Sequence, residues 1–261
     1  MLPILYQFRP DENHVLFPIV NLIFTVYVYH RCCVDDPGEI TLSNLDTFKA
    51  VYEFDNRLYK PRNTCRTCKF TKPARSKHCS ICDRCIHRFD HHCIWTNNDV
   101  GGLNHKYFVL FLLSLLCIIF DGVIVGLRCL WLHATNYKLM EASVVTADGN
   151  VKPVTLLILF QHLFMHFPRL VFLIVGLALL SPMVGSFTVY HIYLIIVNQT
   201  TNERYKVAEL AEESKHCKVK TCQRSAKISN TQTVSYNRGV LGNIKEVFLA
   251  TSFIKSRRKV R

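Results

Sequence analysis

The chain has 261 residues, 49% of them hydrophobic, and its 32 Lys and Arg residues against 19 Asp and Glu give a formal net charge of +13 at pH 7. This apolar content excludes a disordered chain, and a mean hydropathy of +0.14 beside so large a positive charge is not what a single soluble core produces. The sequence therefore indicates a membrane protein with basic segments outside the bilayer.

The first apolar run covers residues 15–33 and is rich in Val, Ile, Phe and Tyr, although it also contains Pro18 and Asn21. It is close to the roughly 20 residues that a spanning helix needs, so we predict a transmembrane helix, with an interfacial or buried helix as the alternative. Arg9, Asp11 and Glu12 precede the run and no basic segment opens the chain, which argues against a cleaved signal peptide.

Two further apolar runs, residues 107–131 and 170–197, reach or exceed the length of a spanning helix, and we predict that both cross the membrane. The stretch between them, residues 132–169, contains a shorter apolar run over 154–167 that Gln161, His162 and His166 interrupt. We interpret this shorter run as a helix on the membrane surface.

Basic residues predict the orientation, because segments rich in Lys and Arg stay on the cytosolic side. Residues 31–106 hold 13 of them and residues 198–261 hold 14, so we expect a cytosolic cysteine-rich domain over 34–106 and a basic cytosolic tail over 198–261. The loop over 132–169, and Met1, then lie outside the cytosol. An anionic lipid surface accounts for the basic tail next to a span, and we expect no nucleic-acid partner.

Six of the twelve cysteines fall between Cys65 and Cys93, in a compartment where paired cysteines are metal ligands more often than disulfides. The pairs Cys65/Cys68 and Cys79/Cys82 have the C-x2-C spacing that lets two thiolates bind one tetrahedral zinc. This segment has few large aliphatic residues, so metal binding would supply its folding energy. Ligands available downstream are His78, Cys85, His87, His91, His92 and Cys93, and a second zinc ion needs one more, for which Asp99 offers an oxygen.

The run Asp90-His91-His92-Cys93 at the end of this cluster, between two predicted spans, resembles the DHHC-type protein S-acyltransferases, or palmitoyltransferases. Further motifs follow in the family's order: Asp36-Pro37-Gly38, Thr200-Thr201-Asn202-Glu203, and Asn243 with Val247-Phe248 in the tail. Within the family, the words VYEFD, KPARSKHC and NQTTNE are most similar to the animal type 4 branch. The resemblance covers nearly the whole chain and implies a mainly α, multi-span membrane protein with a cytosolic zinc-binding domain.

The resemblance also implies two zinc sites and a ligand set for each. The first zinc would be held by Cys65, Cys68, His78 and Cys85, and the second by Cys79, Cys82, His92 and Asp99. Family members have cysteine at the position of Asp99 and usually proline at that of Ile94. A carboxylate is a harder ligand than a thiolate, so we expect the second zinc to bind more weakly.

On this resemblance Cys93 is the free thiol that attacks a fatty acyl-coenzyme A and then passes the acyl group to a substrate cysteine. Because a free thiol is mostly protonated at neutral pH, it needs a base, for which His91 is the candidate, oriented by Asp90. Thr201 would help to hold Asp90, and Asn243 would support packing of the tail. Lys72 and Arg75 would contact the coenzyme A phosphates or, alternatively, serve only as positive-inside residues.

Two other functions are alternatives to the acyltransferase hypothesis. A catalytically silent zinc-binding membrane scaffold is motivated by Asp99, whereas a ring-type ubiquitin ligase is disfavoured because such domains leave no cysteine beside a histidine free of metal.

The expected partners are acyl-coenzyme A, the lipid bilayer and membrane-associated proteins with cytosolic cysteines. The expected membrane is the endoplasmic reticulum or Golgi, with the plasma membrane as the alternative. Family members usually have four spans, so the resemblance implies that the first span is missing here.

Overall fold

A computed structural model describes residues 13–145, 149–216 and 236–259 of the chain. The helices are α1 (Asn13–Val34), α2 (Leu45–Lys49), α3 (His105–Asn136), α4 (Leu156–His166), α5 (Pro168–Val197), α6 (Thr201–His216), α7 (Val240–Phe248) and α8 (Ala250–Lys259). The strands are β1 (Glu39–Ile40), β2 (Lys77–Cys79), β3 (Arg84–Ile86), β4 (His91–Cys93), β5 (Asn98–Val100), β6 (Ser143–Val145) and β7 (Val151–Pro153). The mainly α fold class is therefore confirmed.

Three helices in the described part of the chain are long and apolar enough to cross a membrane: Leu16–Val34 within α1, α3 and α5. Helix α3 continues to Asn136, beyond the end of the apolar run at residue 131. The run ends where polar residues such as His133 and Thr135 begin, but these residues are compatible with a helix. Helix α4 coincides with the shorter apolar run. The sidedness of the spans and the surface location of α4 stay predictions, and Met1 and residues 217–235 of the tail lie outside the described residues.

The described chain divides into two compact units. The first contains residues 13–26, 112–145 and 149–188, and its regular elements in this described part are helices apart from the β6–β7 hairpin. Within it, Gly122 and Gly126 let α3 and α5 approach closely, because a Cβ atom at these positions would lie 2.8 Å from Leu177 Cδ1 and 2.6 Å from Ile174 Cγ1. Small residues spaced four apart commonly serve this purpose between membrane helices.

The second unit contains residues 27–111, 189–216 and 236–259 and holds every residue with a predicted chemical role. One small antiparallel sheet has the strand order β1-β3-β2, and β4 and β5 form a separate hairpin. Strands this short have little stability of their own, so the surrounding side chains must hold them. The apolar core beneath them includes Phe48, Tyr52, Tyr59 and Phe70.

Glycines bring the segment after α1 against the cysteine-rich region. Gly38 adopts a positive φ of 104°, and its carbonyl accepts a hydrogen bond from His87 N at 2.8 Å. A Cβ atom on Gly101 would lie 2.4 Å from the carbonyl oxygen of Pro37 and 2.5 Å from Ile86 Cγ2. Only glycine fits such an approach of two backbones. The Asp36-Pro37-Gly38 motif therefore fixes the position of the strands that carry the site.

Candidate active site and zinc sites

The first candidate zinc site consists of three cysteines and one histidine whose ligand atoms lie within 4.8 Å of one another: Cys65, Cys68, His78 and Cys85. His78 Nδ1 lies 3.5 Å from Cys68 Sγ and 3.8 Å from Cys85 Sγ. Bond lengths of about 2.3 Å to sulfur and 2.0–2.1 Å to nitrogen in a tetrahedron separate such ligands by about 3.6 Å, so the donor set fits zinc. His78 Nε2 meets Asp83 at 3.3 Å, a contact that orients the ring.

Both C-x2-C pairs form tight turns. Cys68 N donates to Cys65 Sγ at 3.4 Å, and Cys82 N donates to Cys79 Sγ at 3.5 Å. Lys69 and Asp83, each directly after a pair, have positive φ angles of 61° and 51°. The local sequence therefore bends the backbone around the sulfur atoms, as the C-x2-C spacing predicts.

The second candidate zinc site combines two cysteines, one histidine and one carboxylate: Cys79, Cys82, His92 and Asp99. His92 Nδ1 lies 3.4 Å from Cys82 Sγ, 3.8 Å from Cys79 Sγ and 3.0 Å from Asp99 Oδ1. Asp99 is fully buried, and its Oδ2 has no hydrogen-bond partner among the described residues. Arg84 Nε lies 3.7 Å from this oxygen, beyond hydrogen-bond distance, whereas the ligand atoms of Asp99, His92 and the two cysteines lie within 4.8 Å of one another, so the geometry fits Asp99 as the fourth ligand.

The β4–β5 hairpin places the second site next to Cys93. His92 pairs across the hairpin with Asp99, and Cys93 pairs with Asn98. Successive side chains of a strand point to opposite faces, so Cys93 faces away from the ligand set that contains His92. Cys93 belongs to neither group of four converging ligands.

Asp90 and His91 form a close hydrogen-bonded pair at the start of the same hairpin, with His91 Nδ1 2.7 Å from Asp90 Oδ2. An ionised carboxylate only accepts hydrogen bonds, so Nδ1 carries a proton and Nε2 is the nitrogen that can exchange one. Burial alone would lower the pKa of His91, but the contacts with Asp90 and Cys93 outweigh it and raise the pKa to about 9. Burial alone would raise the pKa of Asp90, and the hydrogen bond from His91 lowers it instead.

The Cys93 thiol is buried and is shifted towards its thiolate form. Burial by itself raises the pKa of this thiol, but hydrogen bonds with His91 and with the side chain and backbone of Thr96 lower it to about 7. The thiolate is the nucleophilic form of cysteine. Ile94 and Trp95, the next residues, are 76% and 80% exposed, so the tip of the hairpin is apolar.

The Thr200-Thr201-Asn202-Glu203 motif forms the start of α6. Thr200 N donates to Glu203 Oε2 at 3.0 Å and Glu203 N donates to Thr200 Oγ1 at 3.2 Å, which is a capping box. The next backbone group, Thr201 N, donates to Asp90 Oδ1 at 2.9 Å. A helix N-terminus stabilises a carboxylate through its dipole and unpaired N–H groups. Thr201 thus meets Asp90 through its backbone rather than its hydroxyl.

Arg75 differs from its predicted role as a phosphate ligand. Its side chain is 0% exposed, and its five N–H groups are engaged by Glu203, Asn198 and Glu246. The two hydrogen bonds to Glu203, at 2.7 and 2.8 Å, form a bidentate pair. No donor is left for a coenzyme A phosphate. Arg75 instead ties the cysteine-rich region to α6 and α7, a partnership that sequence spacing could not reveal.

Lys72 lies in a cluster of positive charge. The pKa of Lys206 on α6 is lowered, first by burial and then by the charges of Lys72 and Lys77. Lys206 also lies 4.5 Å above the ring of Tyr59, and Lys77 lies 5.2 Å from the ring of Phe89. Like charges held together favour binding of an anion.

Asn243 on α7 is buried and connects the tail to the end of α5. Its Nδ2 donates to Ile196 O at 2.7 Å, and its Oδ1 accepts from Arg238 N at 2.9 Å. Val247 on the same helix packs against Val109 and Ile195. These contacts are those of a residue that attaches the tail to the spans.

Sequence reasoning missed Thr96, Lys206 and His191. Thr96 follows the hairpin tip with no motif to distinguish it, and Lys206 is one of many basic residues. His191 offered a signal, since a histidine within an apolar span is costly and usually has a function. Its ring nitrogen lies within 4.8 Å of ligand atoms of both Asp90 and His91.

Comparisons of the sequence with known proteins identify similar palmitoyltransferases. The sequence model of the family described as DHHC palmitoyltransferase matches residues 58–208. The chain is 36% identical over 255 residues to palmitoyltransferase ZDHHC4 of Mus musculus, covering 94% of this chain and 71% of the relative. It is 35% identical to the Bos taurus protein of the same name, covering 97% and 71%. It is 33% identical over 210 residues to palmitoyltransferase swf1 of Schizosaccharomyces pombe, covering 78% and 51%.

Proposed function

The chain belongs to the DHHC palmitoyltransferase family and is a protein S-acyltransferase of the ZDHHC4 type, and we propose that Cys93 carries the acyl group between acyl-coenzyme A and the substrate protein. One observation supports this role above the others. Among the cysteines of the cluster, Cys93 stands outside both groups of converging ligands, and its thiol has a pKa lowered by a histidine that a buried carboxylate orients.

In the first step, Nε2 of His91 takes the proton of the Cys93 thiol, and the thiolate attacks the acyl carbonyl of the thioester. The bond from the carbonyl carbon to the coenzyme A sulfur then breaks, and that sulfur leaves with the proton from His91. Asp90 keeps Nδ1 protonated and stabilises the positive imidazolium in between. The hydrogen bond from Thr201 N holds the carboxylate in place during this transfer.

In the second step, a cysteine of the substrate protein gives its proton to His91 and attacks the acyl group on Cys93. The Cys93 sulfur leaves and recovers a proton, which restores the enzyme. Each step exchanges one thioester for another, so the two are close to balanced in energy and need no nucleotide. What remains for the protein is positioning, because alignment of the reacting groups removes much of the barrier.

Two zinc ions would stabilise this arrangement, the first held by Cys65, Cys68, His78 and Cys85 and the second by Cys79, Cys82, His92 and Asp99. Bound zinc would supply folding energy and rigidity rather than reaction chemistry, since each group offers four protein ligands and no open position. His92 and Asp99 lie on the two strands of the hairpin that carries Cys93. Zinc bound at the second site would therefore hold the hairpin, and with it Cys93, in place.

Acyl-coenzyme A would bind with its phosphates on the lysines and its fatty chain in the bilayer. Lys72 stays a candidate phosphate ligand, and Lys77 and Lys206 join it through the charge cluster described above. Arg75 leaves this set because its donors are engaged in the protein interior. Partial burial of Lys206 and the charges of Lys72 and Lys77 disfavour the charge of Lys206 until an anion binds, which matches the needs of a phosphate site.

Sidedness follows from the distribution of basic residues, which favours a cytosolic location for residues 34–106 and 198–261. The exposed Ile94 and Trp95 beside Cys93 fit an apolar boundary, since aromatic side chains favour the membrane interface. Substrates would then be membrane-associated proteins with cytosolic cysteines near the bilayer. We assign the enzyme to the endoplasmic reticulum or Golgi on the resemblance alone, with the plasma membrane as the alternative.

Purified protein incubated with a labelled palmitoyl-coenzyme A tests the role of Cys93. We expect hydroxylamine-sensitive label on the wild-type chain and none on Cys93→Ser, whereas Cys117→Ser, at an exposed cysteine of α3, should label normally. Equal labelling of Cys93→Ser would exclude Cys93 as the carrier. Coenzyme A release with an acceptor protein distinguishes the enzyme from the silent scaffold considered above.

A further inference from the structure

A buried group of histidines lies behind the pair formed by Asp90 and His91. His191 on α5 and His105 at the start of α3 are each 1% exposed, as is Asp90. The ligand atoms of Asp90, His91 and His191 lie within 4.8 Å of one another. The proposed chemistry uses only the first two, so the third has no role in it so far.

Aromatic packing fixes the spacing of His91 and His191. Their ring centroids are 5.8 Å apart, and Phe108 packs edge-on against both, with its centroid 5.0 Å from each. Interplanar angles of 69° and 74° place the two imidazoles against the same phenyl ring. A rotation of His191 would therefore disturb the packing that holds His91.

His105 links this group to the rest of the protein. It contacts His191 edge-on, with 6.1 Å between ring centroids, and its Nδ1 lies 3.1 Å from Arg88 Nη1. A guanidinium only donates hydrogen bonds, so Nδ1 accepts and His105 is the neutral tautomer with its proton on Nε2. Arg88 is in turn held by Glu246 at 3.2 Å. The position of His191 is thus set through His105 by side chains of the cysteine-rich region and α7.

Asp90 needs such support because it is a buried carboxylate. Its two oxygens accept hydrogen bonds from His91 Nδ1 and Thr201 N, one at each oxygen. Each carboxylate oxygen can accept a further bond, and imidazoles nearby stabilise the charge without neutralising it. A polar ring at the position of His191, with a ligand atom within 4.8 Å of those of Asp90 and His91, therefore helps to keep the carboxylate aimed at His91, whereas an apolar ring would not.

We propose that His191 is a positioning residue for the acyl transfer: it holds the Asp90–His91 pair in the geometry that accepts the proton of Cys93. This inference rests on the proposed role of His91 as the base. It concerns how well the pair is oriented, and His191 itself transfers no proton and touches no substrate.

The test compares the wild-type chain with its His191 variants, each in nanodiscs. It measures single-turnover acylation of Cys93 by labelled palmitoyl-coenzyme A over a range of concentrations. For His191→Phe we expect the maximal rate of Cys93 acylation to fall roughly tenfold or more, since small misplacements of reacting groups are costly. The half-saturating concentration, the zinc content and the thermal midpoint should stay unchanged. His191→Gln, which keeps a polar group of similar reach, should retain most of the rate.

His133→Phe serves as the matched control, because His133 is a histidine of α3 that packs against Tyr137 and Phe167 in the other unit. It should acylate at the wild-type rate. If His191→Phe loses zinc or fails to fold, His191→Asn replaces it, and its shorter side chain should give a lower rate than His191→Gln. A wild-type acylation rate in His191→Phe would overturn the proposal. So would an acylation rate that falls as far in His191→Gln as in His191→Phe or His191→Asn. Failure of the proposed function looks different, because Cys93→Ser would then still be labelled.

Discussion

Replacing Arg75 by glutamine separates a structural role for this residue from the phosphate-binding role that sequence alone suggested. The change removes the cation that lies 2.7 Å from Glu203 and 3.2 Å from Glu246. Both carboxylates are buried, with 5% and 1% of their side chains exposed. Glutamine is too short and too poor in donors to replace the five hydrogen-bonding groups of the guanidinium.

The size of the effect follows from what remains around each carboxylate. Breaking a buried ion pair by removing one partner costs about 3–5 kcal/mol. Glu246 keeps Arg88 and Arg238 nearby, at 3.2 and 3.3 Å, and Glu203 keeps the hydroxyl of Tyr59 and the N–H of Thr200. We therefore expect the lower end of that range, about 3 kcal/mol, which is a large share of the roughly 5–15 kcal/mol that stabilises a domain. Arg75→Lys keeps the charge and should lose less.

Thermal unfolding in detergent and the zinc content per chain provide the assay, together with the half-saturating concentration of acyl-coenzyme A for the folded fraction. Arg66→Gln is the matched control, because Arg66 is exposed in the first C-x2-C turn. Arg75→Gln should unfold at a clearly lower temperature and bind acyl-coenzyme A normally while folded. Normal stability combined with a raised half-saturating concentration would refute the structural role and restore the phosphate contact.

Three further changes test other parts of the structure. Asp99→Cys should slow the release of the second zinc to a chelator and Asp99→Ala should leave about one zinc per chain, measured by chelator absorbance and metal analysis; equal release kinetics in Asp99→Cys and wild type would contradict the ligand assignment. Gly101→Ala should abolish folding because no room exists for its Cβ atom, whereas Gly176→Ala, where nothing lies within 4 Å, should express normally; comparable yields would be evidence against the close approach. Thr200→Val removes the cap of α6 and should lower stability by about 1 kcal/mol in thermal unfolding, and an unchanged midpoint would show that the capping box contributes little.

The features that sequence could predict are those encoded locally. Apolar runs over 107–131 and 170–197 correspond to α3 and α5 because burial in lipid needs the same continuous apolar stretch that composition reveals. The C-x2-C pairs predict their own turns, since the backbone must bend around two sulfur atoms bound to one metal. The helix start at Thr200 likewise follows from a four-residue motif.

The features that sequence could not predict depend on distant segments meeting. Arg75 and Glu203 are 128 residues apart, so neither their pairing nor the burial of the guanidinium follows from spacing. His191 meets His91 only because the end of α5 packs beside the β4–β5 hairpin. A basic residue beside a metal-binding motif suggests an anion site, but tertiary packing decides whether its donors are available. Here packing engages the donors of Arg75 and places Lys206 in the lysine cluster instead.

The pre-steady-state release of coenzyme A measures the central claim most directly, because a covalent acyl-enzyme separates the two halves of the reaction. Without any acceptor protein, rapid mixing with palmitoyl-coenzyme A should release about one coenzyme A per active chain in a fast burst, matched by one acyl group on the peptide that contains Cys93. Release that begins only when an acceptor is added, or a full burst in Cys93→Ser, would contradict transfer through this thiol.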